Sequence, residues 1–264
     1  MGKFSIDANV KYWEDPNTKS LIDSCLKQLE IDFIIKYLKN DFDVIDLGCG
    51  DGETIMAISK LVKNIKGIER SSLFLQKAVT KVNDKNLKNV TLESGDILES
   101  QINQKFDVAI TERVLINLPS WELQYKAIEN IHKILKRGGL YLMIENTTDG
   151  QNALNKLRSS VNLKPIEIHW HNLYLDFNLF KDSIKGKFNL IERRSFSSYY
   201  LLTRIFAPMF AKFEGFGANA KFDGIFKISD PAAKELHDKI GHLIEIKENN
   251  NIIGPIQGFV LQKI

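Results

Sequence analysis

Residues 43–52 read Asp43-Val44-Ile45-Asp46-Leu47-Gly48-Cys49-Gly50-Asp51-Gly52, and the architecture turns on how this stretch is read. Val44, Ile45 and Leu47 form a short apolar run bounded by glycines, the pattern of a buried strand. Gly48, Gly50 and Gly52 fall at every second position, which lets the backbone turn tightly and approach a ligand closely. A helix is predicted over 52–63, with Ile55, Ile58, Leu61 and Val62 on one face. Its first turn offers unpaired N–H groups beside the loop.

Working outward, the alternation continues. Strands are predicted over 64–69, 90–93, 106–111 and 140–145, and helices over 71–83 and 119–136. The latter carries Tyr125, Ile128, Ile131 and Leu135 on one face, and Gly138-Gly139 is expected to end it. Strands alternating with helices over about a hundred residues imply a doubly wound parallel sheet with right-handed crossovers. In such sheets ligands bind outside the carboxyl ends of the strands. Upstream, Leu26, Leu29, Phe33, Ile34 and Leu38 recur at helical spacing within 21–39, behind an aromatic patch at Tyr12-Trp13. That patch is read either as an anchor for the N-terminus or as a lid over the ligand. Downstream come a helix near 150–160, an aromatic segment at 168–174, strands over 188–196 and 256–264, and a helical insertion between them.

The 264 residues are 44% hydrophobic and 26% charged with a net charge of +3, ordinary for a soluble globular protein. There is no dense Lys/Arg tract, and a nucleic-acid partner is not expected. Cys25 and Cys49 suggest neither a disulfide framework nor a zinc site and are read as free thiols of a reducing compartment. Residues 1–7 lack the apolar core of a leader peptide, Ile6 stands where a myristoylation pattern wants Ser or Thr, and no apolar run reaches a membrane span. A cytoplasmic chain without membrane association is expected.

The loop and the acids near it point to a cofactor. A dinucleotide fingerprint is G-x-G-x-x-G with a helix dipole aimed at a pyrophosphate. Here the spacing is G-x-G-x-G, and Asp46, Asp51 and Glu53 would repel a pyrophosphate while suiting a cation. S-adenosylmethionine, with a sulfonium and an amino group, fits that charge pattern better than a nicotinamide dinucleotide. Glu69, ending the second strand with Arg70 beside it, can accept from ribose hydroxyls. Asp96 can accept from an adenine amino group with Ile97 packed on the ring; its plainer reading is a turn residue or helix cap.

These residues resemble the class I, Rossmann-like methyltransferases: the run 44–52, then Glu69, then Asp96, then Ile134-Leu135-Lys136-Arg137-Gly138-Gly139-Leu140. The resemblance implies an α/β fold with a seven-stranded, doubly wound, mostly parallel sheet whose last strand is reversed. Its parts would be an N-terminal helical cap (1–40), the core (41–198), a helical insertion acting as substrate lid (199–254) and the last core strand (255–264). It implies that Asp46, Gly48, Cys49 and Gly50 hold the methionine part, Glu69 the ribose, and Asp96 with Ile97 the adenine. Arg70 and Trp13 are grouped with this set, and Thr111 and Glu112 would line the methyl-transfer site. A nicotinamide-dependent oxidoreductase and a non-catalytic cofactor-binding module are the competing readings.

For the acceptor, the Asn/Asp-Pro-Pro-aromatic motif of base N-methylation is absent after strand four, where the chain reads Thr111-Glu112-Arg113-Val114-Leu115-Ile116-Asn117. Arg113 beside Glu112 argues against a divalent metal there, and no metal is expected. What remains is O-methylation of a small polar or anionic metabolite or glycan precursor. His169, His171 and Glu112 are the candidate proton-handling groups. Tyr12, Arg113, Asn117, Arg194, Tyr199, Tyr200 and Arg204 are candidate acceptor contacts, the arginines able to clamp an anion. Strand alternation would leave Arg193 on a solvated face and turn Arg194 inward. The segments 112–118, 169–174 and 195–200 resemble methyltransferases of bacterial surface-polysaccharide clusters, among them enzymes of O-methyl phosphoramidate capsule decoration.

Overall fold

The structure, a computed structural model, describes residues 4–18, 23–99, 102–213, 223–241, 245–248 and 251–264. Seven strands form one sheet: β1 (Asp43–Leu47), β2 (Asn64–Glu69), β3 (Val90–Ser94), β4 (Phe106–Glu112), β5 (Leu135–Asn146), β6 (Phe188–Ser195) and β7 (Ile256–Lys263). Their order is β3-β2-β1-β4-β5-β7-β6. The first five are parallel neighbours, and β7 runs antiparallel between β5 and β6. The chain leaves β1 in one direction across the sheet and returns to β4 on its other side. The carboxyl ends of β1 and β4 therefore flank the switch point where such sheets bind ligands.

Period-two alternation sorts the central strands into two apolar layers. Val44, Ile110, Leu142, Ile144 and Val260 face Leu26, Leu29, Phe33 and Ile34 of α2 (Ser24–Ile35) and Ile55 and Ile58 of α3 (Glu53–Ile58). Ile45, Leu47, Ala109, Met143 and Phe259 face Ile128 and Ile131 of α5 (Trp121–Ile134) and Phe180 of α7 (Phe177–Ser183). Between these in sequence come α4 (Ser72–Asp84) and α6 (Thr148–Ser160); α1 (Ile6–Trp13) opens the chain. Side-chain caps set the starts: Asp23 accepts from Leu26 N, Ser71 from Phe74 N, Ser120 from Leu123 N and Thr147 from Gly150 N.

Two element boundaries differ from expectation. The helix after the glycine loop stops at Ile58, because the chain must reverse within five residues to enter β2 at Asn64. Val62 still reaches the core from the turn. Gly138-Gly139 does not end α5. That helix stops at Ile134 and passes straight into extended backbone at Leu135, which pairs with Phe106. Residues 136–139 form a bulge before pairing resumes at Leu140 opposite Val108, with Gly138 at φ +75°. Lys136 in the bulge reaches Asp107 at 2.8 Å.

After β6, α8 (Ser197–Leu201), a π-helical turn (Leu202–Phe206) and α9 (Ala207–Phe213) run on continuously, and α10 (Asp223–Ile240) packs against α2 and α8. Phe196, Tyr199, Tyr200, Ile205 and Ala233 thereby join the apolar layer of α2. Residues 214–222 and 242–244 of the expected insertion, the Asn249-Asn250 pair of a polar loop, and Met1-Gly2-Lys3 lie outside the described residues. No helix among the described residues is long and apolar enough to cross a membrane.

Phe33 is 2% exposed, and its ring fills the space over Gly258, where an added Cβ would come within 2.6 Å of it. Phe33→Ala is expected to cost about 3–5 kcal/mol in urea unfolding. A loss under about 1 kcal/mol would show that α2 is not part of the core.

Candidate active site

The carboxyl ends of the strands open into one cavity of about 860 Å³, near the upper end of what a small-molecule site spans, roughly 300–1,000 Å³. One half is walled by the glycine loop, Glu69, Asp96 and Ile97, the other by Glu112, Asn146, Gln151, His171, Tyr174 and Tyr200.

Gly48 and Gly50 sit at φ +75° and +56°, in the left-handed region that favours glycine. A Cβ on Gly48 would lie 2.5 Å from Val114 Cγ2. On Gly50 it would meet nothing within 4 Å, so this peptide faces open cavity. Glu69 braces the loop: Gly50 N donates to its Oε2 and Ser71 N to its Oε1, both at 2.8 Å. Burial raises the Glu69 carboxyl from its usual value while those N–H groups work the other way. Asp96 accepts from Leu98 N at 2.8 Å, so the turn role read for it is present. It also lines the cavity and faces Arg70 at 3.4 Å.

Asp46 lies beneath the loop rather than on the cavity wall. It is 2% exposed, and its Oδ2 has no partner. Burial, reinforced by the nearby Glu112 charge, pushes its carboxyl up to about 8. Asp51 pairs with Lys81 at 2.7 Å on the outer side, and Glu53 is exposed. Of the three acids expected around the loop, only Asp46 therefore faces inward. Two further corrections concern side chains. Cys49 packs its thiol into the core near Gly67, leaving only its backbone in the loop. Thr111 is fully buried with its hydroxyl 2.8 Å from Tyr141 Oη and does not line the cavity.

Helix α1 roofs both halves, as the lid reading of Tyr12 and Trp13 requires. Arg70 donates to Asn9 Oδ1 at 2.9 Å, Trp13 Nε1 donates to Asn117 Oδ1 at 3.2 Å, and Ser71 Oγ donates to Trp13 O at 3.1 Å. Glu14 accepts from Ser72 N and Oγ at 2.7 and 3.0 Å. The Tyr12 ring stacks on His171 with centroids 3.9 Å apart.

The charged groups of the second half are already partnered. Glu112 is bound by Lys27 Nζ at 2.6 Å and by the Thr54 hydroxyl. Burial opposes its ionisation, yet Lys27 and Arg113 hold it below the usual range, so it positions neighbours rather than accepting a proton. Arg113, at φ +56°, forms a buried ion pair with Glu30. Arg204 lies 2.5 Å from Asp23, which also accepts from Tyr199 Oη at 2.7 Å. Tyr200 and Arg204 reach the cavity wall; Tyr199 and Arg194 do not. Arg194 pairs with Glu192 at 2.7 Å. Arg193, expected on a solvated face, stacks 3.7 Å over Phe177 and bonds Asp149 and Gln257.

His171 is 6% exposed with an unpartnered Nδ1, and burial, with His169 adding, lowers it to about 4. His169 is exposed at the mouth. Residues missed in the sequence are Asn9, Lys27, Glu30, Asn146 and Gln151. Lys27 and Glu30 leave a trace, being charges set three apart on the otherwise apolar face of α2.

An open glycine backbone, an unpartnered buried carboxylate under it, and acids at the ends of β2 and β3 suit a ligand with a cationic end and ribose hydroxyls. The comparisons agree. A family described as methyltransferase domain matches residues 38–253. The ribosomal protein L11 methyltransferase of Thermosipho melanesiensis is 27% identical over 109 residues, 41% of this chain and 39% of that protein. The chain thus spans about two fifths of that relative's length. Two solved structures share the fold. One is an S-adenosylmethionine-dependent methyltransferase from Clostridium acetobutylicum (TM-score 0.55, 14% identity, 92% of each chain). The other is the N-methyltransferase NodS of Bradyrhizobium japonicum in complex with S-adenosyl-L-homocysteine (TM-score 0.52, 14% identity, 72% of this chain and 89% of that one). The chain belongs to the methyltransferase-domain family and shares the fold of these two structures, one of them solved with S-adenosyl-L-homocysteine. The nicotinamide alternative falls with that match.

Gly50→Val and Glu69→Ala are each expected to weaken S-adenosylhomocysteine binding about tenfold or more in calorimetry, since hydrogen bonds to a charged group contribute about 1.5–3 kcal/mol. Parent-like binding by both would misplace the site. Asp46, protonated below about pH 8 in the free protein, must ionise to face a cationic amino group. Ligand binding at pH 7 is therefore expected to release close to one proton, read from the buffer dependence of the binding heat, and Asp46→Asn to abolish that release. Equal heats in all buffers would refute it.

Proposed function

We propose that this chain transfers the methyl group of S-adenosylmethionine to an oxygen of a small polar metabolite or glycan precursor, in the assembly of a bacterial surface polysaccharide. The observation that carries this reading is the continuity of the cavity. A cofactor half and a second half lined by hydroxyl, amide and imidazole groups share one roofed space. The surface-polysaccharide setting rests on the sequence resemblance of 112–118, 169–174 and 195–200.

When bound, S-adenosylmethionine supplies a methyl group on a sulfonium that departs as a neutral thioether. The chain's own part is placement, which is worth roughly 7–11 kcal/mol for well-aligned partners. Glu69, Asp96 and the glycine backbone set one partner. Helix α1 and the turn after β4 close over it and exclude water. Neutral His171 accepts the hydrogen bond of the acceptor hydroxyl and takes its proton as the oxygen is alkylated. An alkylated hydroxyl is strongly acidic, so even this weakly basic imidazole suffices. His169, stacked 5.6 Å from it, lies on the path to solvent.

The direct test offers the purified chain labelled cofactor and a bacterial polar-metabolite extract. Label in the small polar fraction is the expected result. Label in macromolecules would replace the acceptor class, and cofactor binding with no transfer would leave a cofactor-binding module. His171→Ala is expected to lower turnover about 10²–10⁴-fold with S-adenosylhomocysteine affinity changed by no more than a few fold. Unchanged turnover would return His171 to a packing role. Because the folded-state value is depressed, His171 remains a free base at pH 5.5. The acid limb of its contribution should then fall near pH 4 rather than 6.5, seen as the difference between parent and variant profiles.

A further inference from the structure

We infer that the second half of the cavity selects an uncharged, hydroxyl-bearing acceptor of the sugar or polyol class, and excludes both anions and ammonium groups. This rests on the methyltransferase reading and narrows its acceptor.

Charge is the first observation. Among the described residues, the charged side chains set into this half of the wall are paired with opposite charges: Glu112 with Lys27, Arg113 with Glu30, and Arg204 with Asp23, while Asp15 is exposed. The first two pairs are deeply buried, with side-chain exposures of 14% or less. Among the described residues, a phosphate or carboxylate deep in this half would find no unpaired cation, and would lie near the Glu112 carboxylate. An ammonium would find the carboxylates there already paired. Neither ion would recover the solvation it loses on entry.

Unpartnered hydrogen-bonding atoms are the second observation. Asn146, 6% exposed at the end of β5, bonds Tyr174 through its side chain, and its Oδ1 has no partner. His171 Nδ1 is likewise buried and unpartnered. Both residues line the cavity, and two unpartnered neutral polar atoms on residues of one wall call for polar ligand atoms; an amide oxygen accepts only from a donor. Hydroxyl groups supply donors without charge. Leu26, Leu154, Ile166, Pro255 and Ile256 complete the wall, and would cover the C–H faces between those hydroxyls.

The test is binding to protein loaded with S-adenosylhomocysteine, read by saturation-transfer NMR and calorimetry, with three matched probes: methyl hexosides, hexose 6-phosphates and hexosamines. Methyl hexosides are expected to saturate in the millimolar range and the two charged series to bind at least tenfold more weakly. Asn146→Leu should weaken hexoside binding tenfold or more with S-adenosylhomocysteine affinity preserved. Asp23→Asn keeps the cap of α2 but frees Arg204, and should raise hexose phosphate binding at least fivefold. Tighter binding of phosphates or amines by the parent, no saturation by any hexoside, or no response to either variant would each overturn the inference. Loss of S-adenosylhomocysteine binding by the parent would instead overturn the cofactor reading beneath it.

Discussion

The site depends on a buried double ion pair at the end of β4. Glu112 and Arg113 are consecutive, and each is claimed by α2, by Lys27 and Glu30 one helical turn apart. Such pairs give little net stability, because the Coulombic gain is set against desolvation of both ions. Removing one partner, however, leaves a buried charge exposed to the full penalty, about 3–5 kcal/mol. Their effect is therefore to fix geometry. They lock α2 across the switch point and hold Arg113 in a left-handed conformation that the chain would otherwise avoid. They also aim the following turn at the cavity. Glu145 secures that turn from beneath, accepting from the backbone of Val114 and Leu115 at 2.8 Å and of Ile116 at 3.3 Å. Burial lifts the Glu145 carboxyl to about 7 even against these N–H groups.

The same clamp divides the cavity electrostatically. With Glu112 paired to Lys27, Asp46 on the cofactor side is a buried acid without an ion-pair partner among the described residues. A cationic ligand placed there would favour its ionised form, whereas a pyrophosphate would keep it protonated. On the far side the pairs cancel, and selection passes to hydrogen bonding and shape. The two halves thus offer different physics within one space.

Much of this was legible in the sequence, for identifiable reasons. Strand–glycine–helix is a local pattern, and Asp46, Gly48, Gly50, Glu69 and Asp96 follow it because each sits at a strand end whose position the parallel topology dictates. Asp51 and Glu53 are as acidic as expected, but helical geometry turns them outward, and sequence proximity does not report direction. The arginines misled for a related reason. Arg204, by sequence able to clamp an anion, and Arg113, a candidate acceptor contact, are neutralised by Asp23 and Glu30, 181 and 83 residues away. Long-range neutralisation of a charge leaves no mark near it. The double glycine at 138–139 has the pattern of a helix stop, yet it sits in a bulge of β5, a distinction that depends on the neighbouring strand.

Helix α1 lines both halves of the cavity. It carries few core residues, and the buried one, Asn9, is polar. Asn9 accepts from Arg70, which faces Asp96 at the cofactor end. Its amide points toward Asn117 Oδ1 and His171 O at 3.4 Å, on the acceptor side. Two turns of helix thus span both recognition regimes, with Trp13 against the first and Tyr12 stacked on the imidazole of the second. A roof fastened mainly by hydrogen bonds and one aromatic stack is held more weakly than a core helix, whose apolar face would cost several kcal/mol to expose. That difference leaves α1 an element able to open and close over the cavity, sharing its fastenings with residues at both ends of it.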